Sequence, residues 1–263
     1  FGDTRFQYIT FRRANENYDV LYCNYNNLEM GEGIQMKNYD QKFEGDGTLD
    51  GATSTSFEIF GGTLNDARFR PLYKDDNLKK MEDSYPHGRE GFKIKIKSGH
   101  YSTICVGDRQ INGHMNGIMG SPNMPIKCTI DIDIDREYND THKSENGNMT
   151  PTLDVAVILA GNHEGAMVGD VDIVIKSGKI GRVVNGTLGN RREVDGYDNG
   201  YNNVPFNTFM GRANILIDPA LSENNQNDIN SRVEITEIYG GSTGRAFEAN
   251  ELIENPFYGQ STI

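Results

Sequence analysis

The stretches Phe92-Lys-Ile-Lys-Ile-Lys-Ser98-Gly99 and Val171-Asp-Ile-Val-Ile-Lys-Ser177-Gly178 decide the reading of the fold. Each sets apolar residues at alternate positions, the period-two pattern of a strand with one face buried, and each then breaks at Ser-Gly. Ser56-Phe-Glu-Ile-Phe-Gly61-Gly62-Thr-Leu64 and Val233-Glu-Ile-Thr-Glu-Ile-Tyr-Gly240-Gly241 read in the same way, as a strand that runs into glycine. Aligned on the second glycine or its equivalent, the four units lie 37, 79 and 63 residues apart. Spacing so unequal excludes a strict tandem array. It fits a core unit with loops of variable length between copies.

Further strands are expected at Ile126–Ile134, Leu153–Ala160 and Ala213–Ile217, and shorter ones at Arg5–Phe11, Asp19–Cys23 and Asn27–Met30. Only Asp76–Asp83 and Phe247–Ile253 have weakly helical composition, and neither has a full set of caps. Strands without intervening helices exclude doubly wound and α/β-barrel folds. A sandwich would place Asn-Gly turns between adjacent strands. Here Asn112-Gly113, Asn116-Gly117, Asn146-Gly147 and Asn185-Gly186 fall inside long polar loops. A glycine at the end of each strand is instead what stacked, equivalent corners require.

This pattern resembles the right-handed parallel β-helix (pectin-lyase-like) superfamily, through the strand–glycine units quoted above. More loosely, Arg5-Phe-Gln-Tyr-Ile-Thr-Phe11 with Tyr18–Met30 resembles surface β-helix proteins of gut Bacteroidetes. The resemblance implies one β-solenoid domain over residues 1–263, with long inserted loops. An irregular β-sandwich is the alternative. Side chains at Ile94, Ile96, Ile130, Ile132, Ile173, Ile175, Ile215, Ile217, Val233 and Ile235 are expected to line one interior. The chain opens on Phe1 and closes on an uncharged strand, Phe257–Ile263. It is therefore expected to be a piece of a longer chain, whose last strand continues into further coils or a neighbouring subunit.

Composition narrows the partners. With 26 Lys+Arg against 38 Asp+Glu the formal charge is −12, which argues against nucleic acid and anionic membranes. The longest apolar run, Val155–Ala160, is far too short to span a bilayer. Glycine (30) and asparagine (28) make a chain rich in turns. Cys23, Cys105 and Cys128 form neither a Cys-x-x-Cys pair nor a disulfide framework, so buried thiols are expected. Few cysteines with abundant Asn, Gly and Tyr suit a bacterial exported or surface protein. The sequons at Asn139, Asn148 and Asn185 add little in so Asn-rich a chain.

Chemistry is less marked. Asp131, Asp133 and Asp135 alternate with isoleucines, so their carboxylates project from one strand face about 7 Å apart, at roughly 3.3 Å per residue. That is too far for one ion, and a solvated face is expected. The lysine ladder Lys93, Lys95 and Lys97 forms a cross-strand charge network with it if the two strands are neighbours. A Ca²⁺ site fits better in the loop Asp195-Gly-Tyr-Asp198-Asn199-Gly-Tyr-Asn202-Asn203, whose glycines allow oxygen ligands to converge, the other reading being an ordinary polar loop. Tyr18, Tyr22 and Tyr25, set among asparagines, are candidates for binding sugars by stacking and paired hydrogen bonds. The other reading of these tyrosines is packing into the coil.

β-Helix enzymes cleave acidic polysaccharides, but their motifs are broken here. Asn207-Thr208 is followed by Phe209 rather than Asp, and Asn112-Gly113-His114 by Met115 rather than Gly. Lys93-Ile94-Lys95 stands where Arg-Ile-Lys is expected. Asp75-Asp76 lies in a charged loop, no motif selects Arg68 or Arg109, and the five histidines have no ligand spacing. No catalytic residue is assigned. The expectation is a non-enzymatic secreted or cell-surface β-solenoid, an adhesin that binds polysaccharide or cell-surface glycan, or a structural component. Two alternatives stand beside it. One is a diverged polysaccharide lyase or glycosidase, marked by two carboxylates and a base converging within about 10 Å. The other is a subunit of a surface filament or complex.

Overall fold

The computed structural model describes residues 2–12, 19–37, 57–62, 64–65, 90–107, 109–110, 118–119, 125–134, 153–163, 166–189, 209–219, 233–244 and 257–263. Among them no α-helix occurs. In chain order the strands are β1 (Thr4–Phe6), β2 (Thr10–Arg12), β3 (Asp19–Tyr22), β4 (Leu28–Met30), β5 (Gln35–Lys37), β6 (Phe57–Phe60), β7 (Leu64–Asn65), β8 (Phe92–Ile96), β9 (Gly99–Cys105) and β10 (Arg109–Gln110). There follow β11 (Ile118–Met119), β12 (Ile126–Ile132), β13 (Leu153–Leu159), β14 (Ala166–Ile175), β15 (Gly178–Val184), β16 (Leu188–Gly189), β17 (Phe209–Ile217), β18 (Val233–Tyr239), β19 (Thr243–Gly244) and β20 (Phe257–Thr262). The segments expected to be weakly helical, 76–83 and 247–253, lie outside the described residues.

The described residues are all-β, and their strands are joined in parallel. A first sheet runs β1-β4-β8-β12-β14-β17-β20, with β11 beside β14; a second runs β18-β15-β13-β9-β6-β3. Within each sheet the strands follow sequence order, and the chain alternates between the two sheets from β3 onward. One pass through both sheets makes a tier. Ile94 pairs with Ile130 and Ile96 with Ile132, Ile130 pairs with Ile173, and Ile173 with Ile215, all in parallel register. An antiparallel β8–β12 pair, as a sandwich requires, is thus excluded.

Identical side chains stacked on adjacent parallel strands lie about 4.8 Å apart and fill the space between the sheets. Ile94, Ile96, Ile130, Ile132, Ile173 and Ile175 are fully buried, Ile215 nearly so, and all belong to one cluster. Each contributes about 1.5–3 kcal/mol relative to exposure. Ile217 departs from the expectation and is 37 % exposed, while Val233 and Ile235 are only partly buried. β18 ends its sheet, and the register of β20 on β17 stops at Asn214 and Thr262, short of Ile217, so these residues have described neighbours on one side only.

Strict alternation also fails in the second sheet, for a local reason. The core side chains Tyr101 and Ile104, Val155 and Ile158, and Ile180 and Val183 are three residues apart, not two. The pairing breaks at the intervening Ala156 and Gly181, so the strands bend together there. Past the bend the outer face carries a second apolar cluster of Phe60, Cys105, Leu159 and Val184, against which Tyr22 and Leu188 pack.

Two different corners join the sheets, and the four sequence units quoted at the outset divide between them. Lys97-Ser98-Gly99 and Lys176-Ser177-Gly178 turn the chain from the first sheet into the second, with φ of 105° at Gly99 and 104° at Gly178. Ser98 Oγ donates to Gly31 O (2.6 Å) and accepts from Ile34 N (2.9 Å); Ser177 Oγ accepts from Ile134 N (2.6 Å). Each serine thus satisfies the preceding tier's backbone. The units ending at Gly62 and Gly241 belong to the other corner, after the second sheet. There the amides of Gly62, Gly107 and Gly161 donate in turn to the carbonyls of Gly107, Gly161 and Gly186. The single repeat read from the sequence is two interleaved ones.

Candidate functional site

The outer face of the first sheet is a grid of charges. Arg5, Glu29, Lys95 and Asp131 stand side by side on β1, β4, β8 and β12, alternating in sign. The lysine and aspartate ladders are neighbours, and their cross-strand network forms: Asp131 meets Lys93 Nζ at 3.2 Å and Lys176 Nζ at 3.4 Å. Asp131 was expected on a solvated face, yet it is 7 % exposed, because the two lysine stems close over it. Asp133 meets Lys176 at 4.0 Å, and Asp135 lies outside the described residues. On β17 the Arg212 guanidinium reaches two carboxylates of β14, with Nε 2.6 Å from Asp170 Oδ1 and Nη2 3.8 Å from Asp172 Oδ2. Asn214 Nδ2 donates to Asp172 Oδ1 at 2.8 Å. The hydrogen bond to Asp170 raises the Arg212 pKa further. The strands of this sheet carry five basic residues (Arg5, Lys93, Lys95, Lys127, Arg212) and four acidic ones (Glu29, Asp131, Asp170, Asp172). Although the chain carries −12 overall, this face is close to neutral.

At the far edge of the second sheet, parallel register sets Arg182 of β15 beside Glu237 of β18. Arg182 Nε donates to Glu237 Oε2 at 2.6 Å, and Tyr239 Oη donates to the same oxygen at 3.1 Å. These two hydrogen bonds, Arg182's first, lower the Glu237 pKa. The guanidinium carbon lies 5.4 Å from the Tyr239 ring centroid, within cation–π range. Tyr239 is 37 % exposed. Sequence reasoning missed this group, because only the register of β15 on β18 makes neighbours of residues 55 positions apart.

The tyrosines singled out in the sequence are dispersed. The Tyr22 ring stacks on Phe60 (5.8 Å, 28°) in the outer apolar cluster. The Tyr25 ring sets its edge against Phe92 (6.0 Å, 82°) and packs on the interior. Tyr18 and the loop carrying Asp195, Asp198 and Asn199 lie outside the described residues. Among the described residues no three His, Cys, Asp or Glu side chains are grouped to hold a metal ion. Cys23, Cys105 and Cys128 are free and buried, and burial pushes the Cys23 thiol up to about 12. His100 stands on β9, where burial lowers its pKa. Asn185 is fully buried, and its Nδ2 donates to Ala213 O and Ser261 Oγ, both at 2.7 Å, so folding withdraws this sequon from modification. Asn139 and Asn148 lie outside the described residues.

No helix of the described residues is long and apolar enough to cross a membrane. No family model matches the chain, and no similar protein was found among the curated proteins or the solved structures.

Proposed function

We propose that this chain is a right-handed parallel β-helix that works without catalysis, as a secreted or cell-surface component that binds glycan. The observation that carries the reading is the outer face of the first sheet. It is a continuous face of parallel strands, nearly neutral, and its carboxylates Asp131, Asp170 and Asp172 are each engaged by lysine or arginine. A grid of paired donors and acceptors on a continuous sheet suits recognition of hydroxyl-rich polymers, for which the ordering cost is already met by the fold. Alternation between two sheets in sequence order supports the coil. The test is binding and turnover measured on the same samples: purified protein against a panel of neutral and acidic polysaccharides, followed by affinity electrophoresis and by assay of reducing ends and unsaturated products. Retention without product supports the reading, and product formation overturns it.

One observation favours the enzymatic alternative. Arg212 touches Asp170 and Asp172 together, so two carboxylates and a base converge as the alternative requires. Clean turnover lost in Asp170→Asn and Asp172→Asn would establish it.

A further inference from the structure

We infer that Arg182, Glu237 and Tyr239 form a subsite for a neutral sugar residue, which rests on the glycan-binding reading and gives it a place away from the charged grid. A sugar presents a C–H face that stacks on an aromatic ring and a rim of hydroxyls that both donate and accept. The site supplies a match for each. The Tyr239 ring is the platform, partly open to solvent and steadied by the Arg182 guanidinium at 5.4 Å. Glu237 Oε2 takes hydrogen bonds from Arg182 Nε and Tyr239 Oη, which fixes the carboxylate and, among the described residues, leaves Oε1 to accept from a hydroxyl. The contact of Arg182 with Glu237 runs through Nε, so among the described residues Nη1 and Nη2 remain as donors.

Two features set the ligand class. The group carries one positive and one negative charge, so it offers no net field to hold an acidic sugar, and Glu237 Oε1 repels a carboxylate placed over the ring. The side-chain exposures of 38 % for Arg182 and 42 % for Glu237 leave the rim wet, which suits a hydroxyl ligand that exchanges water for similar partners. Preorganisation is the second feature. Arg182 and Glu237 are held side by side by backbone register, and Tyr239 projects from the same strand two residues on. The side chains meet a ligand in the positions they already occupy.

The experiment uses the whole chain, with laminarin and galactomannan as neutral probes and polygalacturonate as the acidic one, titrated by calorimetry. The expected result is binding of a neutral probe that weakens about three- to tenfold in Tyr239→Ala, as expected for the loss of one aromatic stacking contact. Glu237→Gln, nearly isosteric, weakens it about tenfold, in line with loss of a hydrogen bond to a charged group. Tyr239→Phe keeps the ring and stays within about threefold of the wild type. Near-unchanged thermal midpoints in Tyr239→Phe and Glu237→Gln separate binding from folding. If the wild type binds a neutral probe and all three variants bind equally well, this subsite is overturned while glycan binding stands. Preference for polygalacturonate overturns the neutral class. Binding of none of the probes overturns the glycan reading and this subsite with it.

Discussion

The side-chain oxygen of Asn162 occupies the space in which residue 107 would carry a Cβ atom, and Gly107 is glycine for that reason. The same interlock recurs in the next two tiers. A Cβ on Gly161 would lie 2.5 Å from Thr187 Oγ1, and one on Gly186 would lie 2.6 Å from Ser242 Oγ. At each step a small polar side chain of one tier fills the place left by a glycine of the tier before. Asn162 and Thr187 are buried, so neither has room to swing away. Gly107→Ala is therefore expected to destabilise the fold by about 1–3 kcal/mol, the cost of overpacking. Asn162→Ala in the same chain should recover part of it. Denaturant unfolding of the two single variants and the double gives the coupling energy, and strict additivity would exclude the interlock.

The serine corners make a second prediction. Ser177→Ala leaves the amide of Ile134 without its acceptor, and Ser98→Ala leaves both Ile34 N and Gly31 O unsatisfied. Both serines are buried, so water does not replace them freely. An orphaned buried polar group costs about 1–3 kcal/mol. Ser98→Ala, which orphans two groups, should be the more damaging in urea unfolding. Equal midpoints for both variants and the wild type would show that these hydroxyls are dispensable.

These two corners also show how far the sequence could be read. The parallel all-β architecture was legible because Phe92–Ile96 and Val171–Ile175 alternate cleanly and end alike at Lys-Ser-Gly. What misled was treating every strand that ends in glycine as one unit. Phe60-Gly-Gly62-Thr, Val106-Gly107-Asp, Ala160-Gly161-Asn, Asn185-Gly186-Thr and Gly240-Gly241-Ser share an apolar or aromatic residue, then a free position, then glycine and a small polar residue. That polar residue was the missed signal, since it separates this corner from Lys-Ser-Gly. The bend within the second sheet was hidden because its inward residues are spaced by three, which mimics helical spacing. The Arg182–Glu237–Tyr239 group was hidden because no local pattern sets the register between β15 and β18.

Acid should weaken the first corner in a defined interval. Burial alone raises the Glu32 carboxyl, but it is outweighed by a backbone hydrogen bond, hydrogen bonds from Lys97 (3.0 Å) and Gln7, and the charge of Lys97, which hold it at about 2. A carboxyl lowered by folding stabilises the native state fully above its ordinary value near 4.5, and that contribution is lost as pH falls towards 2. His100, lowered by burial against the opposing charge of Asp154, acts with the same sign. Stability should therefore drop between about pH 4.5 and 2 more steeply in the wild type than in Glu32→Gln. Parallel stability curves for the two proteins across that interval would remove Glu32 from the account.

The interior row makes the last prediction, because it sets the same substitution in different depths of one stack. Ile132, Ile175 and Ile217 succeed one another on β12, β14 and β17 in direct register. Ile132 and Ile175 are fully buried, whereas Ile217 is 37 % exposed. Removing a buried isoleucine side chain to the β-carbon forfeits its transfer energy and leaves a cavity, at a cost of about 2–5 kcal/mol. A residue already partly in water loses less transfer energy and leaves no closed cavity. Ile175→Ala should thus destabilise by about 2–5 kcal/mol and Ile217→Ala by about 1 kcal/mol or less. The contrast is informative because chemistry and strand environment are otherwise the same. If Ile217→Ala costs as much as Ile175→Ala in equilibrium unfolding, then Ile217 is covered in solution, and β17 is not where this row of the interior opens to solvent.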